Sequence, residues 1–130
     1  MKKDNFIRIL KIEPGKMPYE KEMFNNLEGI QEEVEGLFEC VYLDDNCIAV
    51  VNEEGKLNGM ELNRRIGNDI IAGPFFICGD SADGEFISLN DAECEKYMGE
   101  FKEVPEFTGN EPEAQPRITF FSLNIRRAIL

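Results

Sequence analysis

The 130-residue chain contains no histidine and no tryptophan, and its four cysteines, at positions 40, 47, 78 and 94, include no C-x-x-C pair. Without histidine the commonest general base and metal ligand is missing, and Ser-His-Asp or Cys-His catalysis is excluded within one chain. The cysteine spacing matches no standard zinc site. Contexts such as Phe76-Ile77-Cys78 fit buried reduced thiols, which behave as small hydrophobes, better than a disulfide framework. What chemistry is left belongs to carboxylates, lysine or tyrosine, so a non-enzymatic role is favoured, and no catalytic residue, metal site or cofactor is assigned.

Positive charge is scarce as well. Twenty-six Asp and Glu face 14 Lys and Arg, for a net charge of −12, which argues against direct binding of nucleic acid by phosphate neutralisation. No apolar run approaches the roughly 18 residues of a membrane span. The opening MKKDNFIRILKIEPG lacks the apolar core and small-residue cleavage site of a signal peptide. A cytoplasmic protein without membrane contact is expected.

What is present points to one α+β domain over residues 1–103, a small antiparallel or mixed sheet with two helices packed on one face. Residues 6–12 read as a strand stopped by Glu13-Pro14-Gly15-Lys16, a type II turn signal, and residues 19–23 as its short partner. A helix follows, with Asn25 as N-cap and Glu28 three residues on; Leu27, Ile30 and Val34 share one face and Gly36 closes it. Residues 37–43 and 47–52 flank Asp44-Asp45-Asn46 as a β-hairpin. Residues 70–78 read as a further strand interrupted at Gly73-Pro74, since proline removes a ladder donor. Asn90 and Glu93 form a capping box for a second helix, with Leu89 stapled onto Cys94 and Tyr97, Met98 and Phe101 on its apolar face. Residues 104–116 read as a Pro/Glu-rich linker. Beyond it the apolar segment 117–130, RITFFSLNIRRAIL, is expected to add a strand to its own sheet or to a neighbouring copy, making a homodimer possible, or to pack as a short helix.

Five glycines and four asparagines fall between Asn52 and Gly79, with the Arg64-Arg65 pair among them. Glycine serves where the backbone turns left-handed or approaches something closely, and asparagine tolerates the same geometries while hydrogen-bonding. A shaped surface over residues 52–73 is expected. Its candidate ligand-binding residues are Asn52, Lys56, Asn63, Arg64, Arg65, Asn68 and Asp69, because arginine recognises phosphate or carboxylate with two parallel bonds. The competing reading has one arginine paired with Asp69 or Glu61 to hold the loop. Gly55-Lys56 is not a P-loop, since Val50 and Leu57 stand where that pattern needs Gly and Ser or Thr. Asp80-Ser81-Ala82-Asp83-Gly84-Glu85 is not a calcium loop, since Gly79 and Asn90 stand where its two key carboxylates belong.

Glu13-Pro14-Gly15-Lys16 with Pro18-Tyr19, the run from Asn52 to Gly59, Asn63-Arg64-Arg65, and the run from Asp69 to Gly73 together resemble the family called domain of unknown function 3846, over about residues 6–101. Pro74 departs from that family's pattern. The resemblance implies a phage or mobile-element setting in Gram-positive bacteria and brings no activity with it. The expected role is binding of a small anionic ligand or a protein partner through residues 52–73. The alternative is an acidic inhibitor that imitates nucleic acid and blocks a host nucleic-acid-binding protein.

Overall fold

A computed structural model describes residues 5–116, and the expectations for 117–130, including the added strand, the short helix and the homodimer, lie outside the described residues. Strands β1 (Phe6–Ile12) and β2 (Tyr19–Phe24) are followed by helix α1 (Leu27–Val34), then β3 (Phe38–Tyr42), β4 (Cys47–Asn52), β5 (Leu62–Ile66), β6 (Asp69–Ala72), β7 (Phe75–Asp80), β8 (Phe86–Ile87) and helix α2 (Asp91–Glu100). The main sheet runs β2-β1-β7-β4-β3, with β8 also paired to β7, and every pairing in it is antiparallel. β5 and β6 form a separate two-stranded hairpin. The class is α+β.

The helices do not share a face. Ile30 and Val34 of α1 pack with Ile7, Ile9, Ile48 and Phe76, whereas Cys94 and Tyr97 of α2 pack with Leu10, Ile12, Ala49 and Ile77. Successive strand residues point to opposite sides, so the two clusters are opposite faces of one sheet. The expectation of two helices on one face is therefore corrected. The physical reason lies in the central strands: β4 is buried at every position from Cys47 to Asn52, and a strand apolar on both sides needs cover on both sides.

Local signals otherwise hold with small shifts. The α1 N-cap is Asn26, whose side chain accepts from the Gly29 N–H at 2.7 Å, while Asn25 instead donates to the Phe86 carbonyl at 3.0 Å. Glu35, not Gly36, takes the left-handed position at the helix end, with φ 63°. The α2 capping box between Asn90 and Glu93 is complete, and Leu89 shares the buried cluster of Cys94.

Residues 70–78 divide into two strands of different sheets. Gly73 has φ +90° and Pro74 cannot donate to a ladder, so the chain leaves the hairpin there and enters β7. The glycine-rich stretch, expected as a loop, itself contains β5. Its turn to β6 is Gly67-Asn68, with Gly67 at φ 59°, a two-residue hairpin signal.

Candidate functional site

The stretch that leaves β4 at Asn52 turns through residues 53–61 and returns as the β5–β6 hairpin. A Cβ on Gly55 would lie 2.3 Å from the Ala72 carbonyl oxygen, so only glycine lets this turn press against β6. Between the turn, β3, β4 and β6 opens a cleft of about 310 Å³ whose walls include Glu39, Asn52, Glu53, Glu54, Lys56 and Asp69. That volume is at the lower end of the range for small-ligand sites.

The cleft is acidic. Its one cation among the described residues, the Lys56 ammonium, is paired with Asp69, whose Oδ1 also accepts from the Ile70 N–H at 2.8 Å. Among the described residues no ion pair reaches Glu39, Glu53 or Glu54. Loss of hydration raises the Glu39 carboxyl above the ordinary glutamate range, and the charges of Glu53 and Asp69 push it further against the opposing effect of Lys56. A cation placed there would relieve both effects, and an anion would worsen them.

The candidate residues separate into a buried floor and an open rim. Asn52 lines the cleft, but its side-chain amide donates to the Val34 carbonyl at 2.9 Å and the Glu35 carbonyl at 3.3 Å, ending α1, while its oxygen accepts from the Glu54 N–H at 2.8 Å. Asn63 is 1% exposed and donates to the Ile12 and Gly73 carbonyls, each at 2.9 Å. Arg64 is 2% exposed. Its Nε donates to the Phe101 carbonyl at 3.0 Å, Nη2 to the Lys16 carbonyl at 2.6 Å, and Nη1 to the Asn63 carbonyl at 3.2 Å and the Asn63 side-chain oxygen at 3.0 Å. Burial holds its guanidinium below the ordinary arginine value. The holding role weighed for an arginine is thus filled by carbonyls, with neither Asp69 nor Glu61 as its acid.

Arg65 faces the other way. It is half-exposed, 3.7 Å from the Glu113 carboxylate, with its guanidinium carbon 6.0 Å from the Phe107 ring centre. Residues 104–116 accordingly run beside the hairpin, through a short 3-10 turn at Pro112–Ala114, and Pro116 reaches the cleft. Asn68 is exposed at the β5–β6 turn. Of the candidates, only Asn52, Lys56 and Asp69 line the cleft.

Glu39 was not among the candidate residues. Its signal was the single charge in the otherwise uncharged strand Phe38-Glu39-Cys40-Val41-Tyr42, which marks a position whose side chain leaves the core.

No helix among the described residues is long and apolar enough to cross a membrane, and none of these residues form a group of three or more His, Cys, Asp or Glu able to hold a metal ion. Neither a curated protein nor a solved structure matches the chain. The family model named domain of unknown function (DUF3846) matches residues 7–102, well over half of the chain and nearly all of the fold just described, and the protein belongs to that family.

Proposed function

We propose that this chain is a non-enzymatic binding protein, in the phage or mobile-element setting implied by the family resemblance, and that its cleft beside residues 52–73 takes a Lys or Arg side chain of a protein partner. The observation that carries the reading is the convergence of the exposed Glu39, Glu53 and Glu54 carboxylates on one cleft, with no ion pair to any of them among the described residues. Carboxylates held together repel one another, and a cation placed between them relieves that repulsion. Of the two ligand classes expected from residues 52–73, the partner protein fits this charge and the small anion does not. Arg64 serves the fold, and Lys56 is already neutralised by Asp69.

The acidic-inhibitor reading draws on the same net charge of −12. It needs carboxylates spaced along a surface as phosphates are, whereas Glu39, Glu53 and Glu54 converge on one cleft.

The test is a thermal-shift comparison of the full chain with tetralysine and with a set of nucleotides. Tetralysine is expected to raise the melting temperature, as any ligand of the folded state does, and added salt to weaken the effect as it screens the charges. Glu39→Gln should remove most of the shift. Stabilisation by a nucleotide with none by tetralysine would sink the reading.

A further inference from the structure

The two outer strands of the main sheet are built differently. β2 carries Glu20, Lys21 and Glu22 in its six residues, and two of these charges are engaged: Arg8 Nε lies 2.9 Å from Glu20 and Lys21 Nζ 2.8 Å from Glu33. Charges along an outer strand discourage further pairing. β3 has only Glu39, whose side chain turns toward the cleft, and Tyr42 is 75% exposed.

The backbone of β3 is also open. The Glu53 N–H donates to the Leu37 carbonyl at 2.8 Å and the Leu43 N–H to the Cys47 carbonyl at 3.1 Å. In an antiparallel pair bonded and non-bonded positions alternate, so the odd-numbered residues of β3 bond inward to β4. The N–H and C=O groups of Phe38, Cys40 and Tyr42 point outward, and β3 ends the strand order with no neighbour among the described residues. Such an edge is a template for another strand.

We propose that the occupant of this edge is the chain's own segment 117–130, added alongside β3. Three observations single it out. Pro116, the residue before it, lines the same cleft as Glu39 of β3, so the chain is delivered to the edge. Fourteen residues extend to roughly 45 Å, well beyond the roughly 17 Å that the five residues of β3 span. The segment RITFFSLNIRRAIL is rich in β-formers and carries Arg117, Arg126 and Arg127 with no acid, on a chain of net charge −12. The inference stands on the open edge, and the cleft need not bind a partner for it to hold.

Amide hydrogen exchange on the isotope-labelled full chain tests it. Val41, bonded inward to β4, is the internal reference. The Cys40 and Tyr42 amides are expected to exchange roughly a hundredfold more slowly than unpaired amides. In the double variant Thr119→Pro/Phe121→Pro, which removes donors from the segment, protection at Cys40 and Tyr42 should be lost while Val41 keeps its own. Free exchange at Cys40 and Tyr42 in the unaltered chain, with Val41 protected, would overturn the proposal. So would protection that appears only at concentrations where the chain dimerises, since the added strand would then come from a second copy. The exchange readout is separate from the tetralysine shift, so either proposal can fail without the other.

Discussion

Floor and rim of the 52–73 stretch use the same kinds of residue for opposite ends. On the floor, Asn63 and Arg64 are almost wholly buried and direct their polar atoms to carbonyls of β1, of Phe101 just after α2 and of the turns. At the rim, Glu39, Glu53 and Glu54 face a cleft with no cation of their own among the described residues. A buried polar group must be satisfied by the fold, because leaving it unpaired is costly. A half-exposed one can be left for something else. An arginine pair in sequence therefore says little until each guanidinium is placed, and here the two neighbours point to different surroundings.

Substitutions should divide along the same line. Arg64→Ala strips donors from the Phe101, Lys16 and Asn63 carbonyls and leaves space in the interior; it should cost about 3 kcal/mol in denaturant unfolding. Arg64→Lys should recover less than half of that, since a single ammonium cannot reproduce the planar fork. Asn63→Ala should cost about 2 kcal/mol by the same measurement, for two carbonyls left without donors. Either residue proving neutral would remove the floor from the comparison.

Two carboxylates sharpen it through pH. Asp44 accepts from the Tyr97 hydroxyl, from the Asn46 and Cys47 N–H groups at 2.7 and 2.8 Å, and from Lys96 at 3.2 Å. The Tyr97 bond foremost holds it down to about 2. A depressed carboxyl adds stability that is present above its ordinary value of 3.8 and lost as pH falls toward 2. Glu39 has the reverse sign: its raised carboxyl binds a proton more readily in the folded state, so it removes stability as pH rises through the ordinary glutamate value of 4.5 and beyond. Asp44→Asn should flatten the acid limb of the stability curve between about pH 4 and 2. Glu39→Gln should leave that limb alone and slightly raise the melting temperature at neutral pH.

Arg65→Ala should have the smallest effect, about 0.5 kcal/mol or less, because an exposed ion pair and a cation over an aromatic ring are each weak.

Much of the fold was readable where turn chemistry is local. The Pro14-Gly15 turn, the Asp44 hairpin and the Asn90–Glu93 box each specify their geometry within a few residues. The facing of the helices was harder to read, because it depends on which side each strand residue points. Yet the unbroken apolar runs of β4 and β7 already implied cover on both sides. β5 was hidden by its polar residues, as Asn63 and Arg64 are buried through hydrogen bonds rather than apolar character. Only the Gly67-Asn68 turn announced the hairpin. Of the site, the backbone shape could be anticipated from glycine and asparagine, whereas the sign of its charge could not. Glu39 reaches the cleft from a strand more than ten residues upstream of the stretch that forms the other wall.

The most direct measurement is an NMR titration of the Glu39 carboxyl, with and without tetralysine. Its titration is expected above the ordinary glutamate value in the free protein and to move down when the peptide is bound, because a cation then faces the carboxylate. An ordinary value that tetralysine leaves unchanged would contradict the claim that this cleft is set to receive a basic partner.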